Sequence, residues 1–208
     1  MTRLIIARHG NTFGPDDTPT RVGARTDLPL VQSGVEQSVL LGLYLKLNNL
    51  YPDQAFASNL QRTVMTAKFV LSTMECHIDV QQDSLFDEID YGPDENQTED
   101  KVIARIGEQA IKDWDDKAVV PNGWKVTPQD IIDGWKGFAD SLPEDSTTLV
   151  VTSNGTARFA PYLTGDFGSF AKNHKIKLST GACAILERDK SGNWHVQDWN
   201  IKPKDVIK

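Results

Sequence analysis

The chemistry-bearing residues of this chain gather where apolar segments stop. Leu4-Ile5-Ile6-Ala7 runs into Arg8-His9-Gly10. An imidazole at a strand tip can serve as nucleophile or proton carrier, and a glycine behind it lets the backbone approach a ligand or take a positive φ. The same histidine can also simply end a strand and hydrogen-bond a carbonyl. Ser58-Asn59-Leu60 leads into a helix whose first turn carries Arg62. A helix amino end presents free N–H groups and a partial positive charge, and an inward-facing guanidinium adds a forked donor, so this segment reads as an anion site or as a surface charge. Finally, Leu149-Val150-Val151-Thr152-Ser153 breaks at Asn154-Gly155, a dipeptide equally suited to a turn.

These residues need elements to position them. Residues 2–8 read as a strand buried on both faces, as in a parallel sheet covered by helices. A helix is predicted over 33–49, with Val35, Val39, Leu40, Leu43 and Leu47 on one stripe ahead of Pro52. A short strand over 54–58 and a second helix over 60–73 follow. Residues 87–100 form an acidic loop with seven carboxylates. Beyond it, a helix capped by Thr98 is expected to run through Ile111, and another covers 128–141. A strongly apolar strand over 147–153, a helix over 156–163 and a hairpin of 182–187 with 194–199 complete the chain. The alternation predicts an α/β fold, a three-layer α/β/α sandwich with a mainly parallel central sheet, in a single domain spanning 1–208 with a helical insertion at about 89–145. Ligands of such sheets bind beyond the carboxyl ends of the strands, which places Arg8-His9 and Ser153-Asn154 on one pocket. The segment from Trp114 to Trp135, with Trp124 between them, either covers that pocket or packs helix against sheet.

Composition narrows the function. Hydrophobic residues at 39% and charged residues at 25% are ordinary globular proportions, and 208 residues suffice for a sizeable core. A net charge of -7 without a Lys/Arg block argues against a nucleic-acid partner, so an anionic ligand needs a local positive pocket. Cys76 and Cys183 lie far apart without CxxC spacing, suggesting neither a disulfide framework nor a zinc site. No apolar run approaches the ~18 residues of a membrane span, and the first residues lack a signal-peptide pattern. A soluble, cytoplasmic protein with no membrane partner is expected.

In order and spacing these segments resemble the histidine phosphatase (phosphoglycerate-mutase-like) superfamily. The resemblance is carried by Arg8-His9-Gly10-Asn11-Thr12, by Arg21-Val22-Gly23-Ala24-Arg25-Thr26-Asp27 with Ser33-Gly34 opening the next helix, and by Ser58-x-Leu60-x-Arg62-Thr63-x-x-Thr66-Ala67. Asp87-Glu88-Ile89-Asp90-Tyr91-Gly92 and the strand leading into Asn154-Gly155 complete it. It implies that His9 attacks phosphorus and becomes phosphohistidine, that Arg8 and Arg62 clamp the phosphate, and that Glu88 protonates the leaving oxygen. Asn154 and the Gly155 N–H then complete the phosphate pocket. The implied activity is that of a metal-independent phosphatase, without cofactor, acting on a small phosphorylated metabolite or holding inorganic phosphate.

Two positions depart from the family pattern. Ser153-Asn154-Gly155 stands where the family has Ser-His-Gly. An asparagine amide can donate a hydrogen bond there but neither carries charge nor shuttles a proton, which leaves a phosphate-binding pseudo-enzyme as the alternative. Pro93-Asp94-Glu95-Asn96 stands where relatives often have Trp-Glu-Gly, and an acidic loop over the pocket would repel a doubly phosphorylated substrate. A mutase fits less well, because both the paired histidine and the Glu-Arg-His-Tyr-Gly motif are missing.

Overall fold

In the computed structural model, which describes residues 1–207, β1 (Thr2–Arg8) sends Leu4 and Ile6 into one apolar cluster and Ile5 and Ala7 into another. A strand whose successive side chains are all buried must be covered on both sides. On the Ile5 side lie α1 (Gln32–Leu47) and, after β2 (Gln54–Ala57), α2 (Gln61–Met74), which contribute Leu41, Leu45, Ala67 and Val70. The edge strand β3 (Val80–Gln82) follows, then α3 (Glu99–Ile106), α4 (Glu108–Lys117) and α5 (Pro128–Ser141). Trp114 of α4, Trp124 and Trp135 of α5 join Leu4 and Ile6 in the opposite cluster, so the tryptophan-rich segment packs against the sheet.

The chain then enters β4 (Thr147–Thr152), α6 (Asn154–Ala157), α7 (Phe167–Asn173), β5 (Cys183–Arg188), β6 (Trp194–Ile201) and α8 (Pro203–Val206). The sheet order is β3-β2-β4-β1-β5-β6, parallel from β3 to β1 and antiparallel across β5 and β6. The architecture is the expected mainly parallel α/β sandwich. Among the described residues no helix is long and apolar enough to cross a membrane.

Local chemistry accounts for the differences from expectation. The helix predicted through Ile111 breaks into α3 and α4 at Gly107, whose φ of +84° suits glycine. Thr98 precedes α3 in extended conformation, but its side chain makes no capping bond. The helix predicted over 156–163 stops after one turn, and a 3-10 segment, Ala160–Thr164, resumes around Pro161, which has no N–H to continue an α-helix. The short β3, α7 and α8 went unpredicted.

Register decides where the polar clusters emerge. β1 and β4 are parallel neighbours with Arg8 opposite Thr152, and β2 lies on the other side of β4 with Ala57 opposite Val151. The segments beginning at His9, Asn154 and Ser58 therefore leave one edge of the sheet side by side. The His9 N–H donates to Thr152 O at 3.1 Å, extending the β1–β4 ladder by one residue. Gly10 then presses on the start of α1: a Cβ there would fall under 3.0 Å from the Gly34 O, Cα and C atoms. Its role is close approach to Gly34 rather than a positive φ.

Gly10→Ala is expected to destabilise the fold by about 1–3 kcal/mol, the usual cost of overpacking. Gly14→Ala, where the nearest atom to a Cβ is the Asp17 carboxylate oxygen at 3.4 Å, should change stability by no more than about 0.5 kcal/mol. Urea unfolding of both variants checks the pair; equal effects would show that the Gly10–Gly34 contact has room to give.

Candidate active site

His9 is 6% exposed and its Nδ1 lies 2.7 Å from Gly10 O. A carbonyl only accepts, so Nδ1 carries the proton and Nε2 keeps its lone pair. Burial, followed by the charges of Arg62 and Arg8, holds the imidazole well below its ordinary value of 6.5. At neutral pH the ring is uncharged, with a fixed tautomer.

Two guanidinium groups flank it in different ways. Arg8 is partly buried on the cavity wall and donates from Nη1 to Leu178 O at 2.8 Å. Arg62 has no exposed surface; its Nη1 donates to Thr26 O at 2.8 Å and its Nη2 to Gly23 O at 3.3 Å. Burial lowers the proton affinity of both, while the Glu88 carboxylate opposes that shift. Arg62 does not line the cavity: its fork holds the Thr26 and Gly23 carbonyls, and its charge reaches the His9 imidazole. The Nε atoms of both arginines are buried without a partner.

The amino end of α2, expected to offer free N–H groups, is already occupied. Asp27 Oδ1 accepts from Gln61 N at 2.8 Å, Ser58 Oγ accepts from Leu60 N at 3.2 Å, and Asp87 Oδ1 accepts from Asn59 N at 2.8 Å. Asp27 and Asp87 from remote loops, with the local Ser58 hydroxyl, have taken the place of an anion.

Glu88, 6% exposed, faces the same cavity. Its Oε1 accepts from Ile89 N at 2.9 Å, and its Oε2 accepts from Gly155 N at 3.2 Å and more distantly from the Tyr91 hydroxyl at 3.4 Å. The Gly155 N–H, expected to face phosphate, is thus committed to Glu88. Asn154 Oδ1 accepts from Leu178 N at 2.9 Å, which turns the Nδ2 side of the amide away from that strap. One residue, Leu178, therefore anchors both Arg8 through its carbonyl and Asn154 through its N–H.

The cavity over these groups measures about 480 Å³ and is also lined by Arg21, by Trp114 of the segment expected to cover the pocket or pack on the sheet, and by Asp115, Arg158 and Lys177, which sequence reasoning missed. Arg158 had a signal, since it follows Asn154 by four residues, one helical turn. It is 1% exposed, stacks 3.7 Å from the Trp114 ring centroid, donates to Trp114 O, and is pushed down to about 10 by burial.

Asp90, Asp94 and Glu99 of the acidic loop pair with Arg25, Arg105 and Arg21. Asp94 accepts from Arg105 and from Trp124 Nε1; burial pushes its carboxyl up, but these hydrogen bonds hold it below the usual range. Glu95 accepts from the Gly23 and Arg25 N–H groups and the Thr26 hydroxyl. Asp90 pairs with Arg25, and Asp87 turns to Asn59. The loop braces the site, and two of its carboxylates, Glu88 and Glu99, line the cavity.

Comparison with known proteins places this geometry. Over 113 residues the chain is 26% identical to a 2,3-bisphosphoglycerate-dependent phosphoglycerate mutase of Buchnera aphidicola subsp. Schizaphis graminum, a match covering 54% of this chain and 48% of that protein. The chain thus spans about half the length of the curated relatives it matches. Its fold is shared with mycobacterial glucosyl-3-phosphoglycerate phosphatase, at 19% identity, a TM-score of 0.78 and coverage of 96% of this chain and 99% of that one. It is also shared with a phosphoserine phosphatase from Entamoeba histolytica solved with 3-phosphoglyceric acid, at 18% identity, a TM-score of 0.74 and coverage of 97% and 98%. The family model of the histidine phosphatase superfamily, branch 1, matches residues 4–202, and the chain belongs to that superfamily.

Proposed function

We propose that the protein is a metal-independent phosphomonoesterase working through a phosphohistidine on His9. The observation that carries this reading is the Nδ1–Gly10 hydrogen bond, which leaves an unprotonated Nε2 among guanidinium charges at the tip of β1. Nε2 attacks phosphorus, the bond from phosphorus to the ester oxygen breaks, and Glu88 supplies the proton that the leaving oxygen takes. Water then attacks the phosphohistidine, its proton passes to Glu88, and inorganic phosphate leaves with His9 restored. Phosphoryl transfer demands mainly positioning and charge compensation, and imidazole, guanidinium and carboxyl groups supply both. Arg8 contacts the phosphoryl oxygens from the wall, Arg62 adds charge from below, and Asn154 donates from Nδ2. The ligand is a small phosphorylated metabolite.

Asn154 supports a second reading, a phosphate-binding protein without turnover. Its amide replaces a donor that would be charged in the family pattern. Removing one preorganised donor costs about 2.7–4 kcal/mol, or ~100- to 1000-fold in rate. Slow turnover is the expected consequence, and a single substitution returns an imidazole to this position.

With p-nitrophenyl phosphate, wild-type turnover should fall by at least ~1000-fold in His9→Ala and rise by ~10- to 100-fold in Asn154→His. Phosphate binding with no His9-dependent turnover would establish the binding module instead. A second test uses pH. The folded imidazole is lowered, so the unfolded chain takes up the proton first; its contribution to stability is complete above about 6.5 and erodes as pH falls, by up to ~1.4 kcal/mol per pH unit. Between pH 7.5 and 5.5, wild type should therefore lose about 1 kcal/mol more than His9→Gln in urea unfolding. Equal losses would contradict the lowered imidazole.

A further inference from the structure

The outer wall of the cavity carries chemistry that the phosphoryl site leaves unused. Asp115 of α4 faces the cavity with Oδ1 3.8 Å from Arg158 Nη2 and Oδ2 3.8 Å from Lys177 Nζ. Both separations exceed hydrogen-bond length. The carboxylate is held by two cations without its lone pairs being used by them, and an ionised carboxylate is an acceptor with about four such positions. Opposite partners are already committed: Arg21 Nη2 donates to Glu99 Oε2 at 2.6 Å, and the Arg158 guanidinium lies over Trp114. Lys177 is the more exposed cation of this wall.

These contacts sort the possible leaving groups. A second anion, whether carboxylate or phosphate, would face Asp115 and Glu99 and would draw cations away from existing partners, an arrangement that rejects rather than recruits it. A flat aromatic group would find the rings already covered, since Arg158 stacks on Trp114 and Arg21 lies 5.4 Å from the Tyr91 centroid and 5.0 Å from that of Trp124. Hydroxyl groups meet neither obstacle. They donate to Asp115 and accept from Lys177, and the cavity of about 480 Å³ falls within the ~300–1,000 Å³ range of small-molecule sites, well beyond the needs of orthophosphate.

Resting on the phosphatase reading above, we infer that the substrate is a phosphate monoester of a neutral, polyhydroxylated alcohol, a sugar or polyol phosphate, with Asp115 as the acceptor that selects its hydroxyl groups. A hydrogen bond to a charged group is the source of the selectivity, and it commands about tenfold or more.

The test compares ribose 5-phosphate with 3-phosphoglycerate by calorimetry in the full-length His9→Ala variant, with and without Asp115→Asn, alongside wild-type turnover of both esters and of p-nitrophenyl phosphate. Ribose 5-phosphate should bind at least ~10-fold more tightly than 3-phosphoglycerate, and Asp115→Asn should erase most of that ratio. In turnover, Asp115→Asn should raise KM for ribose 5-phosphate at nearly constant kcat, with a loss on p-nitrophenyl phosphate at least several-fold smaller. Equal or tighter binding of 3-phosphoglycerate, or a ratio untouched by Asp115→Asn, overturns the inference. Asp115→Ser provides the same comparison should the asparagine variant misfold. Absence of turnover on every ester, p-nitrophenyl phosphate included, counts against the phosphatase reading alone, because the calorimetric ratio scores the outer wall without chemistry.

Discussion

Parallel pairing of β1 with β4, in register from Arg3–Thr147 to Arg8–Thr152, is the constraint on which the site depends. Strand direction is polar, so parallel neighbours deliver their carboxyl ends to the same edge, and two segments far apart in the chain arrive a few ångströms from each other. The apolar alternation of β1 locks this arrangement. A slip of one residue would move Leu4 and Ile6 into the space built for Ile5 and Ala7, and every side chain beyond would change face. The core therefore fixes the position of His9 long before any ligand does.

Around that imidazole the protein gathers positive charge in a place where charge is costly. Arg8, Arg62 and Arg158 all have their proton affinity lowered by burial, and each is helped by the Glu88 carboxylate. All three hold backbone carbonyls with their η nitrogens, so part of the desolvation cost is offset within the fold. The arrangement is preorganised: the dipoles and charges that a phosphoryl group would meet are in place beforehand and need not reorient. Burial, together with the charges of Arg62 and Arg8, also keeps the His9 imidazole unprotonated.

How much of this was legible in the sequence depends on the range of the interactions. The strand ending at His9, the helix led by Arg62 and the strand ending at Ser153 follow from local apolar pattern, and so did the sandwich. Glycine and proline, at 107 and 161, cut two predicted helices short because backbone rules outweigh apolar periodicity. What the chain order concealed are partnerships made by remote loops. Asp27 and Asp87 plug the amino end of α2, the Thr26 and Gly23 carbonyls draw Arg62 out of sight, and Glu88 captures the Gly155 N–H. Periodicity carries no information about these contacts. The acidic loop teaches the same lesson, since its charge count was plain while the cations that answer it, Arg25 and Arg105, lie outside it or come from the next helix.

Leu178 offers a different perspective on the asparagine at position 154. The acceptor that its N–H requires is provided by Oδ1, and the δ nitrogen of a histidine ring occupies a comparable place along a side chain. Codons for asparagine and histidine differ by one base, so this corner of the site can exchange amide for imidazole in a single evolutionary step without unfastening the strap that carries Leu178. The side-chain chemistry presented to the cavity at this corner can therefore change with one nucleotide, while the scaffold beneath stays as it is.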